Sequence, residues 1–238
     1  MFWWITATVC AFFIKGLCGF ANTLVFTTIL SFGNDNANIS PVELVLGYPT
    51  NLIVAWRERK SIRWSVCLPL AALVLAGSVP GILFLKNADT SLVKLFFGAA
   101  IVLVGVEMLW SESHPAKGRG SRLALGVIGV LSGLLCGLYG VGALLGAYVS
   151  RVTEDSHGFK ANICVVFFAE NTLRLVLYSL WGILTPASLF QALTLAPAML
   201  VGLGLGIFSS RYLDEKRIKK AVILLLIFSG AALVAGQL

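Results

Sequence analysis

Uncharged stretches run through 16–34, 64–85, 123–150, 175–210 and 221–238. Each is close to or longer than the roughly 20 apolar residues a membrane-crossing helix needs. The stretch from 175 contains Gly182-Ile183-Leu184-Thr185-Pro186-Ala187-Ser188, a turn signal that divides it into two helices. The pattern therefore predicts helical segments over 2–32, 42–56, 64–85, 92–110, 123–150, 161–181, 188–209 and 220–236. Barrel strands would alternate apolar and polar residues over about ten positions, and these runs do not. The fold class is an all-α polytopic membrane protein. Met1-Phe2-Trp3-Trp4 lacks the basic start of a secretory signal, so the first segment is expected to stay in the mature chain.

The chain reads as two related halves. An offset of 125 pairs Gly77 with Gly202, Gly81 with Gly206, Ile82 with Ile207 and Gly105 with Gly230. An offset of 121 lays Gly16-Leu17-Cys18-Gly19 over Gly137-Leu138-Tyr139-Gly140. Duplication of this kind is frequent among transporters. We assign 1–112 to a first repeat, 113–122 to a basic cytoplasmic linker and 123–238 to a second repeat.

Charge decides how the first segment of each half sits. Segments 2–32 and 123–150 are about 30 residues long and carry glycines near their middles. If every segment crossed once, the sixteen loop Lys and Arg residues would divide seven to nine. If these two segments instead break, dip in and return to the same side, fourteen fall on one face and only Lys86 and Lys94 on the other. Lys and Arg concentrate in short cytoplasmic loops, which favours the second arrangement. Each repeat is then one re-entrant or broken helical hairpin plus three transmembrane helices. The two repeats are inverted, and both termini lie outside the cytoplasm. Half-helices of about 12 to 15 residues reach mid-bilayer at 1.5 Å per residue.

Composition agrees with a chain immersed in lipid: 58% hydrophobic, 12% charged, mean hydropathy +0.91. No room remains for a separate soluble domain. The net charge of +7 sits in short loops, so lipid head groups are its counter-charge and nucleic acid is not a partner. Cys10, Cys18, Cys67, Cys136 and Cys164 lie in apolar segments without metal-type spacing, and read as small buried hydrophobes. His114 and His157 read as ordinary solvated histidines in basic loops. The sequence has no phosphate-binding Gly-x-x-x-x-Gly-Lys-Ser/Thr loop, no His-Glu-x-x-His pair and no Ser/His pair within the segments, so it is not read as an enzyme and no cofactor is implied.

Glycines at the expected tips are Gly16, Gly19, Gly133, Gly137, Gly140, Gly142 and Gly146. They admit tight turns and leave amides open to a ligand; the alternative is small-residue helix packing. Each second half-helix starts near 20–23 or 141–144, so its N-terminal amides point at the centre and favour an anion. Lys15 is either an anion contact or a lysine reaching toward one face. Glu170 and Arg174, four apart on one helix face, are a structural ion pair or a gating and proton-coupling pair. Asn51 and Asn171, 120 residues apart, and Asn22 and Tyr139 beside the glycines, could orient substrate or hold the tips by hydrogen bonds. Pro49-Thr50-Asn51 reads as an interruption of its helix. Cys18 and Cys136 flank the tips, where they could touch a sulfur-containing substrate.

Gly16-Leu17-Cys18-Gly19-Phe20-Ala21-Asn22, repeated loosely as Gly137-Leu138-Tyr139-Gly140-Val141-Gly142-Ala143, resembles the duplicated glycine motif of the sulfite exporter TauE/SafE family, also called the 4-toluene sulfonate uptake permease family. Length and two-half layout are similar as well. Ala21 and Asn22 stand where that family commonly has glycines, and Ala143 and Ala147 where a glycine and a proline are usual. The resemblance implies a multi-pass transporter of the inner membrane, acting on sulfur-containing anions such as sulfite or organosulfonates. With the residue reading it gives a secondary anion transporter, permease or exporter, working by alternating access around a midplane site. Its partners are a small anion and the lipid bilayer, and a homo-oligomer is compatible with the sequence. The alternatives are a non-transporting membrane scaffold or assembly protein and a passive anion channel.

Overall fold

The computed structural model describes residues 1–31, 36–87, 122–140, 142–153 and 155–210, with scattered positions in 95–109 and 212–235. The expected helices 92–110 and 220–236, the linker short of Arg122, and His114 lie outside the continuously described stretches. Among the described residues all regular structure is helical: α1 (Phe2–Cys18), α2 (Asn22–Ser31), α3 (Asn36–Arg57), a 3-10 turn (Arg59–Ser61), α4 (Trp64–Asn87), α5 (Arg122–Tyr139), α6 (Ala143–Val152), α7 (Ser156–Leu180) and α8 (Pro186–Ser209). Helices Trp64–Phe84, His157–Leu180 and Pro186–Ser209 are long and apolar enough to cross a membrane. The turn expected at 182–188 is built as a cap. Pro186 opens α8 and Thr185 exchanges hydrogen bonds with Ser188, satisfying amides that the first turn leaves orphaned.

Both glycine-bearing first segments are broken, and both breaks reverse the chain. After α1, Gly19 (φ 82°) and Ala21 (φ 72°) take left-handed conformations, and α2 starts at Asn22. Trp3 Nε1 donates to the Ile29 carbonyl at 3.2 Å, and Trp4 packs edge-on against Phe26, so the start of α1 lies beside the end of α2. After α5, Gly140 (φ 71°) turns the chain and Gly142 opens α6. α6 runs against α7, since Gly142 abuts Phe167 and Gly146 nears Ile163. The arms are unequal: 17 and 10 residues in the first pair, 18 and 10 in the second, not the 12 to 15 expected. At 1.5 Å per residue the long arms reach about 25 Å and the short ones about 15 Å.

Two interfaces dominate the packing, α4 with α5 and α1 with α8. They are built alike. A Cβ on Gly77 would strike the Val130 carbonyl, and one on Gly81 the Leu134 carbonyl; a Cβ on Gly202 would stand 2.6 Å from the Val9 carbonyl, and one on Gly206 would strike that of Phe13. At the offset of 121, Val9 corresponds to Val130 and Phe13 to Leu134. Within each pair contacts advance in step along both helices, so the pairs are parallel, and the missing side chains let the backbones touch.

Directions follow from further contacts. Cys67 meets Asn162 and Ser78 meets Glu170, so α4 and α7 are parallel; Ser40 meets Arg174 and Tyr48 stacks on Phe168, so α3 opposes α7. Outward faces carry large apolar side chains such as Leu180, Phe190 and Leu193. Trp56 and Trp64 flank the basic turn between α3 and α4, as amphipathic rings do at a membrane surface.

Two expectations need correction. Pro49 does not interrupt its helix: α3 continues from Asn36 to Arg57 with Pro41 and Pro49 inside it, and the Thr50 hydroxyl donates to the Gly47 carbonyl at 2.7 Å. Packing against neighbouring segments lets proline persist in membrane helices. Cys10, read as buried, is exposed on α1, whereas Cys67, Cys136 and Cys164 are buried.

Candidate functional site

The inner face of α3 is polar where its outer face is greasy. Ser40, Glu43, Gly47, Thr50, Asn51 and Val54 recur at helical spacing and are all buried. α7 does the same with Glu170, Asn171, Arg174 and Tyr178. Between these faces the two chain breaks come together. They enclose a central cavity of about 20 Å³, lined by Ala21, Asn22 and Thr23 of the first break, Gly140 and Gly142 of the second, Glu43 and Asn51 of α3, and Phe167 and Asn171 of α7. A space this size holds a water molecule.

Four ionisable side chains around it are at most 2% exposed: Lys15, Glu43, Glu170 and Arg174. Each is held by named partners, as buried charges must be. Lys15 Nζ donates to Asn51 Oδ1 at 2.7 Å. Glu43 Oε1 accepts from Asn22 Nδ2 at 2.7 Å and Thr23 Oγ1 at 2.6 Å. Asn22 and Thr23 open α2, so the carboxylate rests at the helix end that carries partial positive charge. Gly47 makes this seat available, since a Cβ there would stand 2.9 Å from Glu43 Oε1.

Arg174 Nε lies 3.8 Å from Glu170 Oε1, while Nη2 donates to Ser40 Oγ at 2.7 Å and the guanidinium covers the Tyr178 ring at 5.2 Å. Ser40 Oγ and the Tyr178 hydroxyl are 2.9 Å apart. Arg174 Nη1 approaches the second break so closely that a Cβ on Gly140 would be 2.7 Å from it.

A second cavity of about 300 Å³ lies where α1, α3 and α8 end and α7 begins. Lys15, Arg57 and Lys160 line it together with Glu58 and His157, whose Nδ1 is 2.8 Å from Glu58 Oε2. His157 is exposed, yet it is tied to Glu58 and not simply solvated. Lys160 lays its stem over Gly19 and donates to the Leu17 carbonyl at 3.2 Å. Lys15 borders this cavity while its amine holds Asn51, which borders the central one. It thus forms the wall between the two spaces.

Of the residues expected at the site, Asn22, Asn51, Gly140 and Asn171 line the central cavity, and Lys15, Gly16 and Gly19 the larger one. The glycines separate into two roles. Gly19, Gly140 and Gly142 are at the breaks, whereas Gly16, Gly133 and Gly137 are packing positions whose bare α-carbons meet α8 or α4 backbone. Cys136 is buried beside Gly142. The side chains of Cys18 and Tyr139 lie outside the described residues. Lys15 does not reach for a surface, being 1% exposed and bonded to Asn51.

Sequence reasoning missed Glu43, Ser40, Tyr178 and Lys160. Glu43 had a signal: an acid inside an apolar helical run is a functional candidate in a membrane chain. A segment starting at 42 sets Glu43 at a helix end, where an acid is ordinary, whereas α3 starts at Asn36 and carries Glu43 two turns inside.

Comparison with curated proteins and with solved structures gave no match. The sequence model of sulfite exporter TauE/SafE, in contrast, matches residues 4–233, nearly the whole chain. With its apolar helices of membrane-crossing length, this chain belongs to the sulfite exporter TauE/SafE family of membrane transporters.

Proposed function

We propose that the protein is a secondary transporter of small anions, sulfur-containing ones such as sulfite or organosulfonates, working by alternating access around the central cavity. The observation that carries this reading is the meeting of two chain reversals at one polar cavity, bordered by the opening residues of α2, by Gly142 before α6, and by Asn51, which holds Lys15. Helix N-termini converge there on a water-sized space beside the Lys15–Asn51 pair, a chemistry suited to anions, and the site widens to admit one as the arrangement shifts. The 300 Å³ space serves as the vestibule of one access state, its three cations outnumbering its one carboxylate. The rock between states is a shift between two arrangements that bind the anion unequally.

In the same reading the halves are inverted repeats with the breaks near mid-bilayer. The reciprocal pairing of α1 with α8 and of α4 with α5, through glycines at matching offsets, supports it. So does direction: α1 ends at the vestibule, whereas α5 runs parallel to α4 and α7, which start at that end. Broken backbone at membrane depth is tolerable when enclosed by protein, and Gly19, Gly140 and Gly142 are buried.

Reconstituted protein should take up radiolabelled sulfite or methanesulfonate with saturation and counterflow. Absence of flux would refute transport, and flux without saturation would mean a channel. Cysteines placed in 151–160 should label from the cytoplasmic side; extracellular labelling would end the inverted-hairpin reading.

A further inference from the structure

In their ordinary ionised forms the four buried ionisable side chains of the site sum to zero, two cations against two carboxylates. A monoanion entering this cluster leaves it one charge out of balance in a medium where an unpaired charge is poorly tolerated. One of the two acids is placed to correct that. Glu43 lines the cavity, and its Oε1 already occupies the donors an anion would use, Asn22 Nδ2 and Thr23 Oγ1 at the start of α2. Glu170 does not line that cavity. It faces Arg174 Nε at 3.8 Å and accepts from Ser78 Oγ at 3.4 Å, so it is committed elsewhere.

Resting on the anion-transport reading above, we propose that Glu43 is the proton-coupling residue: its carboxylate is the resident anion of the tip site, and a substrate monoanion takes its place when Glu43 binds a proton. The step is balanced. A proton forms an O–H bond with the Glu43 carboxylate, the neutral acid withdraws from Asn22 and Thr23, and the anion accepts from them and from Lys15. Release on the other face returns the proton to water and the carboxylate to its seat. Anion and proton therefore move together in the same direction, about one for one, which keeps the cluster neutral throughout. The ionisable groups acting on Glu43 are Lys15 from α1, Cys136 from α5, and Glu170 and Arg174 from α7, while α2 and α8 contain none. Of these, Lys15 and Arg174 hold the carboxylate by charge, and Glu170 opposes a second negative charge.

The test uses full-length protein in liposomes loaded with a pH-sensitive dye and radiolabelled methanesulfonate, a permanent monoanion. Wild type should move about one proton with each methanesulfonate, and its apparent affinity should rise up to about tenfold per unit fall in pH on the entry side. Glu43→Gln should abolish proton movement and accumulation driven by a pH gradient, leaving only slowed anion exchange. Glu43→Asp, which keeps the acid on a shorter stem, should restore coupling with weaker affinity. Methanesulfonate flux by wild type without protons would overturn the inference and leave anion transport standing, as would coupling retained in Glu43→Gln or lost only in Glu170→Gln. No methanesulfonate flux or binding by wild type would remove the underlying anion reading with it. The wild-type stoichiometry decides the matter even if Glu43→Gln fails to fold.

Discussion

Replacing Lys15 with Met separates an anion site from a structural lysine. The substitution keeps much of the side-chain length and volume and removes the ammonium, so the α1–α8 contact around Gly16 is preserved. Two effects on stability oppose each other. The 2.7 Å bond to Asn51 Oδ1 disappears, a charge-assisted contact worth about 1.5 to 3 kcal/mol. The cost of holding a cation at 1% exposure disappears as well, and replacing buried ions with apolar side chains is often neutral or better. Asn51 borders a cavity with room for a water, which can take over the freed acceptor. The melting temperature should therefore move by only a few degrees in either direction. Binding has no such compensation. Loss of a charged donor to the bound anion at about 1.5 to 3 kcal/mol predicts a 10- to 150-fold weaker apparent affinity. The remaining cluster, one cation against two carboxylates, should repel an anion further. Saturation curves in proteoliposomes give the affinity and thermal unfolding in detergent the stability. A folded Lys15→Met protein with affinity within about twofold of wild type would remove Lys15 from the anion path and leave it as a strut for Asn51.

Ala21→Gly should raise stability by up to about 1 kcal/mol, read as a higher melting temperature, because Ala21 holds φ 72° where a Cβ is strained. On α8 two glycines two residues apart should behave oppositely. Gly206→Val should open the α1 contact and lower stability by about 2 kcal/mol or more, while Gly204→Ala, with nothing within 4 Å of its Cβ, should be neutral or slightly stabilising. Tyr178→Phe should lose about 1 to 3 kcal/mol, since it takes a hydroxyl from both Ser40 and Arg174 at a buried position; unfolding by denaturant of the two proteins side by side would measure it.

The breaks were legible because they are local. Glycine with an open amide and a left-handed turn is a short-range requirement, and α2 and α6 start at Asn22 and Ala143, within the 20–23 and 141–144 windows read from the sequence. Glycine roles were less so, since Gly16 and Gly19 look alike in a string. Only the neighbour decides that one meets α8 backbone and the other turns the chain. α3 misled for a physical reason. A proline and a charge each mark a helix end in water, yet here Pro41, Glu43 and Pro49 all lie inside one 22-residue helix. In a packed membrane protein the partners that excuse them come from distant segments, as Asn22 and Thr23 do for Glu43.

The two halves match more closely in the scaffold than in the site. At the offset of 121 the packing glycine Gly16 falls on Gly137 and the turn glycine Gly19 on Gly140, but Lys15 falls on Cys136. At 120, Asn51 falls on Asn171, while Thr50 falls on Glu170. Backbone approach and chain reversal impose the same demand on both halves, because each long arm must touch a helix of the other half. Charge imposes the opposite demand. A lysine in both halves would put two ammonium groups beside one small cavity, at a repulsion of about 4 kcal/mol for charges 4 Å apart at an effective dielectric of 20. The halves therefore share their glycines and divide their charges: the first supplies Lys15 and Glu43 and the second Glu170 and Arg174, each half neutral by itself. The likeness of the halves thus lies in backbone packing, and their difference in the charges they bring to the cavity. Introducing a second lysine at Cys136 should then cost folding stability through like-charge repulsion, and a Cys136→Lys protein as stable as wild type would contradict this division of charge.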